Sequence, residues 1–313
     1  MSALQQALTD YLALRRALGY KLVSDGQVLE RFVAFVEQAG STHITTALAL
    51  QWATRSASHS PLHQARQLSR VRLFAEYLGG IDAHTQIPPR GLLPARYTRR
   101  APYIYTEQQI RDLVAAAARL PSATGLRGCS YAALFGLLAV TGLRIGEAIA
   151  LDEDDVDLPE QLLLVRQGKF AKDRLVPIHA STARALAEYV AVRTRCHPRP
   201  HTPAFFVAER GTRLTDCMAR HTFILLSQRT GLRAPGDHQG PRLHDLRHTF
   251  AVETLQRWYR EGLNVDVQMP RLATYLGHDH VSDTYWYLSA VPQLMALAGA
   301  RLEISLGLGG CAS

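Results

Sequence analysis

Helical hydrophobic periodicity runs through most of this chain and fails in two places, and those two failures set what it can fold into. The first is residues 81–103, where Gly79-Gly80 stops a helix and a basic, Pro-rich stretch follows: Pro88, Pro89, Arg90, Pro94, Arg96, Arg99 and Arg100, with no apolar period. The second is residues 156–178, where Leu162 to Val165, a polar tip, and then Leu175, Val176 and Ile178 read as a β-hairpin or part of a small sheet. The expected chain is mainly α with a small β-sheet in its second domain (α+β). Its expected parts are a helical domain at 1–85, a basic linker at 86–103, a larger domain at 104–302 and a flexible tail at 303–313. A length of 313 residues gives each domain room for its own core.

Within the first domain, Leu4, Leu8, Tyr11 and Leu18 recur at helical spacing, and Val28, Leu29, Phe32, Val33, Phe35 and Val36 form a second stripe that ends at Gly40. Thr45 or Thr46 can cap a third helix through Trp52. A fourth, from Pro61 to Leu78, buries Leu68, Val71, Phe74 and Leu78 and places Arg66 and Arg70 on one flank, spaced to touch phosphates. Past the linker, Thr106 and Gln109 form a capping box. Cys129 to Val140 reads as a buried helix stopped at Thr141-Gly142, and further helices are expected at about 181–194, 215–228, 244–261 and 291–302.

Composition narrows the function classes. Net charge is +8, and residues 1–100 hold 12 Lys/Arg against 6 Asp/Glu, so most of the excess lies in the first third. That favours a polyanionic partner there. The longest apolar run, Tyr131 to Val140, is broken by Gly136 and falls short of the roughly 18 residues a membrane span needs. Met1 to Leu12 shows no signal-peptide pattern. Cys129, Cys196, Cys217 and Cys311 form no CxxC pair, which argues against a disulfide framework or a zinc site. A cytoplasmic protein without membrane contact is expected.

The last quarter carries the chemistry. His244-Asp-Leu-Arg247-His248 opens an apolar helix, and Leu276-Gly277-His278 is followed nine residues later by Tyr287. Imidazoles and a guanidinium suit the charge of a phosphodiester, and a phenol supplies a nucleophile that can become a covalent ester. His244, Arg247 and His248 share one helical face. Earlier, Arg144 in Thr141-Gly-Leu-Arg-Ile-Gly-Glu147 follows the buried helix, with Glu147 three residues on to hold its fork; a helix-start ion pair is the plainer alternative. Only three lysines occur among the 35 basic residues, and two of them, Lys169 and Lys172, sit in the hairpin tip. An ammonium can give up a proton where a guanidinium cannot. Chance lysines on a solvated turn remain the alternative. Histidines 244, 248, 278 and 280 lack the carboxylate or cysteine that would complete a metal site, so no metal and no cofactor are expected.

Taken together, these residues resemble the tyrosine recombinases, the phage-integrase family that includes the Xer, Cre and lambda integrase proteins. Gly142-Leu-Arg-Ile-Gly-Glu is similar to the family's first box, Gly168-Lys169 through Arg174-Leu-Val-Pro177 to its lysine hairpin, His244-Asp-Leu-Arg247 to its His-x-x-Arg box, and Leu276-Gly-His278 with Tyr287 to its last. The spacing from His278 selects Tyr287 over Tyr285. The resemblance implies a two-domain DNA clamp, with a helical core-binding domain ahead of the catalytic one. It implies Arg144, Lys169, His244, Arg247, His278 and Tyr287 as the catalytic set, Glu147 and His248 as supports, and Arg66, Arg70, Arg96, Arg99, Arg100 and Lys172 as DNA contacts. It further implies metal-free strand cutting and rejoining through a 3′-phosphotyrosyl link and a Holliday junction, on double-stranded DNA bearing a specific site, by a nucleoid-associated homotetramer acting alone or with related recombinases. His244 is also a candidate to take the tyrosine's proton. Regulation through distant arm sites is not expected.

The Thr284-Tyr-Trp-Tyr287-Leu ending is similar to recombinases of mobile elements. Type IB topoisomerases and telomere-resolving enzymes share the residue set, and a DNA-binding protein without catalysis is the non-enzyme alternative. After Tyr287, the stripe of Leu288, Val291, Leu294, Met295, Leu297, Ala298 and Leu302 must be buried on its own domain or on a neighbour; the resemblance points to the neighbour.

Overall fold

Side-chain caps and apolar spacing define the first four helices. Ser2 caps α1 (Ala3–Ala17), Thr45 caps α3 (Thr46–Thr54), and Ser60 caps α4 (Pro61–Gly79), which carries proline at its start, where the missing N–H costs nothing. With α2 (Val23–Gln38) they bury Leu8, Phe32, Val36, Trp52, Leu68 and Phe74 in one core. The computed structural model describes residues 2–95, 100–166, 173–199, 201–237 and 239–305, and the chain divides into two compact units, Met1–Arg100 and Ala101–Ser313.

Two expectations shift in the first unit. Leu18 lies just beyond the end of α1 and is 66% exposed, so the α1 stripe stops at Tyr11 and Leu12. The segment from 86 to 93, read as linker, is fastened to the helices. Gln86 N donates to Ile44 O, its side-chain oxygen accepts from Thr46 N, and Arg72 donates to the carbonyls of Pro88 and Pro89, while Leu93 packs on the core. Proline carbonyls make good acceptors, and the half-buried Arg72 of α4 supplies the donors.

The second unit is built around α6 (Leu126–Thr141), apolar on most sides, packed by α5 (Glu107–Ala118), α8 (Ala180–Cys196) and α10 (Asp245–Arg260). The Thr106 capping box opens α5 as its spacing implied. Short helix α7 (Ile145–Ala150) leads into a three-stranded antiparallel sheet of order β1-β2-β3: Val156–Asp157, Leu162–Val165 and Arg174–Pro177. Leu163 faces Val176 and Val165 faces Arg174 across the hairpin, with Leu163, Val165 and Val176 buried. The hairpin tip that carries Lys169 and Lys172 lies outside the described residues.

The remaining helices are α9 (Asp216–Arg229), α11 (Val265–Leu276), α12 (Ser282–Ala290) and α13 (Pro292–Ser305). Sequence patterning missed α11 and α12. Pro270 sits inside α11, where its missing N–H weakens a helical pattern, and Asn264 caps the helix by accepting from Asp266 N and Val267 N. Val291 and Leu294 of the post-Tyr287 stripe are buried against α10 in the same unit, while Met295 is exposed. No helix among the described residues is long and apolar enough to cross a membrane.

Candidate active site

Three consecutive carbonyls at the end of α11 organise the site. Tyr275 O accepts from Arg174 Nε at 2.9 Å, Leu276 O from Arg247 Nη2 at 2.6 Å, and Gly277 O from Arg144 Nη2 at 2.9 Å. A helix C-terminus leaves its last carbonyls without intrahelical partners and carries a partial negative charge, so three guanidiniums are held where a helix best holds cations. Gly277, at φ 66°, ends α11 and turns the chain toward His278; a Cβ there would sit 2.9 Å from Arg174 Nη1.

A second glycine completes the frame. Gly142, at φ 63°, ends α6 and offers its carbonyl to Arg247 Nη1 at 2.9 Å, and a Cβ on it would lie 2.7 Å from Phe250. The turn it makes delivers Arg144 to the start of α7. There Glu147 accepts from Arg144 N at 3.0 Å and from Arg144 Nη1 at 2.7 Å. The same carboxylate accepts both terminal nitrogens of Arg174, at 3.2 and 2.8 Å. Burial alone would raise the Glu147 carboxyl, but the hydrogen bonds from Arg174 and Arg144 outweigh it and hold the group below its ordinary value.

Helix α10 contributes His244 at its N-cap and Arg247 one turn in, with Arg247 only 2% exposed. Burial, and then the nearby Arg144, bring Arg247 down to about 10. His244 is pushed down to about 4, first by burial and then by Arg247, so its ring is neutral near pH 7. His248 stacks edge-on against His244 at 4.7 Å, and its Nδ1 is 3.0 Å from Tyr287 Oη. Tyr287, on α12, is 1% exposed; its ring lies nearly parallel to that of His278 at 6.4 Å, and His278 Nδ1 meets the buried Thr284 hydroxyl at 2.7 Å. Tyr285, on the same helix, is 39% exposed and donates to Asp266 Oδ1 instead.

The structure thus brings Arg144, Glu147, His244, Arg247, His248, His278 and Tyr287 into one cluster whose guanidiniums outnumber its carboxylate. Lys169 and Lys172, with Arg96 and Arg99, lie outside the described residues. Arg66, Arg70 and Arg100 belong to the other unit; Arg66 and Arg100 are exposed there, and Arg70 is half-buried and ion-paired with Asp25. Sequence reasoning overlooked Arg174, Thr284 and the two glycines as parts of the site. Arg174 looks like an ordinary strand residue in Arg174-Leu-Val-Pro177, and only the tertiary pairing with Glu147 separates it from the chain's many arginines.

His244 makes folding stability pH-dependent. Its folded value of about 4 lies below the ordinary 6.5, so between those values the unfolded chain binds a proton that the folded one does not. Stability is lost as pH falls through that window, by at most about 1.4 kcal/mol per pH unit. Urea midpoints at pH 7 and pH 5 should differ less in His244→Gln than in the parent; equal differences would assign the effect to other groups.

A helical unit with a small sheet, in which paired arginines, histidines and a tyrosine hydroxyl converge, is the architecture of a tyrosine recombinase catalytic domain. Residues 104–293 match the phage integrase family, and this chain belongs to that family. It is 46% identical over 307 residues to y4rB of Sinorhizobium fredii, whose name gives it as an inferred integrase/recombinase, covering 97% of this chain and 98% of that one. Tyrosine recombinase XerD of Mycobacterium tuberculosis is 30% identical over 303 residues, 90% of this chain and 91% of that one. In fold it is similar to the Tn1549 transposon integrase solved with transposon right-end DNA (TM-score 0.65, 17% identity, 96% of this chain and 99% of that one). It is also similar to lambda integrase solved as a dimer on a core site (TM-score 0.57, 17% identity, 90% and 76%).

Proposed function

We propose that the protein is a site-specific recombinase that cuts and rejoins double-stranded DNA through a 3′-phosphotyrosyl intermediate, acting in the cytoplasm on nucleoid or mobile-element DNA. The gathering of Arg144, Arg247, His244 and His278 around the end of α11 and the start of α10, beside a Tyr287 whose hydroxyl is held by His248, carries this reading. Tyr287 Oη attacks the scissile phosphorus, an Oη–P bond forms, and the P–O5′ bond breaks. The two guanidiniums and the imidazole N–H groups offset the charge that builds on the non-bridging oxygens. The departing 5′ oxygen takes a proton from Lys169. The tyrosine's own proton leaves toward His248, which touches Oη, whereas the sequence pointed to His244 for this role. Because Tyr287 is 1% exposed in this conformation, reaction with a phosphate requires α12 to shift. The ester conserves the energy of the cleaved bond, so a 5′ hydroxyl of another strand can reseal it without ATP. Incubation with a nicked duplex that loses its short downstream strand should trap a covalent DNA adduct on the peptide containing Tyr287; the absence of any adduct across a library of recombination-site duplexes would count against the reading.

The basic first unit serves as the second arm of a DNA clamp on this proposal, with Arg66, Arg70, Arg96, Arg99, Arg100 and Lys172 as phosphate contacts. A fragment beginning at residue 101 should keep its fold, bind DNA more weakly and show a smaller salt slope, since fewer counterions are released. Equal affinity and slope for fragment and full chain would refute the clamp.

Four copies on two paired sites, linked in a ring through their C-terminal segments, complete the proposal. Val291 and Leu294 are seated on their own domain, so the connector is the part of α13 beyond Met295. Removing residues 296–313 should spare single-site binding and eliminate the slow, multi-protomer species in a native gel. Full-rate recombination by that truncated chain would show the connector to be elsewhere.

A further inference from the structure

Arg174 stands at the base of the hairpin, in contact with two of the elements that carry the site, yet it is not part of the six-residue pattern. Each of its three guanidinium nitrogens has a protein acceptor: Nε on Tyr275 O, and Nη1 and Nη2 on the two oxygens of Glu147. Its side chain is 12% exposed, against 29% for Arg144. A fork fully engaged within the protein and screened from solvent is poorly placed to bind a phosphate, and well placed to fix whatever shares its partners. What shares them is Arg144. Both arginines donate to the same carboxylate, and Arg144 also donates to Gly277 O, two residues beyond the carbonyl that Arg174 holds. Without Arg174, Glu147 would be a buried carboxylate with one cation instead of two, held only by the backbone N–H and side chain of Arg144, and the end of α11 would lose one of its three anchors.

We propose that Arg174 is a positioning residue for strand cleavage: it locks Glu147 and the end of α11 so that the Arg144 guanidinium faces the scissile phosphate. The inference rests on the proposed function in one respect, namely that Arg144 stabilises negative charge on that phosphate. Loss of the lock should therefore act on the chemical step and leave DNA affinity alone, because misplacing a charge by about 1 Å can cost on the order of 100-fold in rate.

The test compares wild type, Arg174→Lys and Arg144→Ala in single-turnover cleavage of two nicked duplexes, one with an ordinary scissile phosphate and one with a methylphosphonate. The methylphosphonate lacks the negative charge that a guanidinium would neutralise. On phosphate at saturating DNA, Arg174→Lys should cleave about 10- to 100-fold more slowly than wild type with an unchanged Kd. On the methylphosphonate, both variants should come to within about threefold of wild type. A merely structural defect would slow both substrates alike. If Arg144→Ala is rescued and Arg174→Lys is not, or if Arg174→Lys cleaves phosphate normally, the positioning role is wrong while the reading of Arg144 stands. If Arg144→Ala is not rescued, the role of Arg144 fails and the inference falls with it. Arg174→Met, which keeps an unbranched stem without the guanidinium, carries the same comparison if melting curves show Arg174→Lys unfolded.

Discussion

Replacing Tyr287 with phenylalanine should leave DNA binding intact and remove the covalent adduct, a loss of at least about 10⁴-fold, the scale seen when an enzyme's nucleophile is deleted. The fold should survive. The change takes away one hydroxyl hydrogen-bonded to His248, which costs on the order of 1 kcal/mol, and leaves the ring in its buried place among α10, α11 and α12. Tyr285→Phe is the matched control. Its hydroxyl lies outside the cluster and bonds to Asp266, so that variant should form adduct at close to the parent rate. An adduct that persists in Tyr287→Phe and vanishes in Tyr285→Phe would reverse the assignment.

The second large effect falls on Lys169. Both Lys169→Ala and Lys169→Arg should slow cleavage by about 10²- to 10⁴-fold, the usual contribution of a positioned general acid. Arginine should fare nearly as badly as alanine because its guanidinium keeps the charge and withholds the proton. A duplex with a 5′-bridging phosphorothiolate has a leaving group that needs no protonation, and it should restore the rate in both variants. Continued slow cleavage of that substrate would make the lysine an electrostatic contact and not a proton donor.

Much of the scaffold was legible because it depends on local rules. Thr45 and Thr106 cap where their spacing implied, the period-two stretch became β2 and β3, and Gly142 closed the buried helix. The site residues were legible for a different reason: His244, Arg247, His278 and Tyr287 lie close in sequence at fixed intervals. What escaped depends on distance along the chain. The bonds from Arg174 to Glu147 and Tyr275 join positions 27 and 101 residues apart, and no local pattern records such a pairing. Helix α11 escaped because Pro270 weakens its helical pattern, and the docking of residues 86–93 because a Pro-rich segment gives no apolar period to read, while its carbonyls remain available to Arg72.

On the proposed function, the row of carbonyls at residues 275, 276 and 277 also sets when the chain can act on DNA. Arg144, Arg174 and Arg247 are synthesised 133, 101 and 29 residues before the carbonyls at the end of α11 that accept from them. A nascent chain carries the same cations before these three acceptors exist, so on that function it can adhere to DNA without being able to cut it. On the proposed function, competence to break a strand arrives only with the folded end of α11, immediately ahead of Tyr287 in the chain.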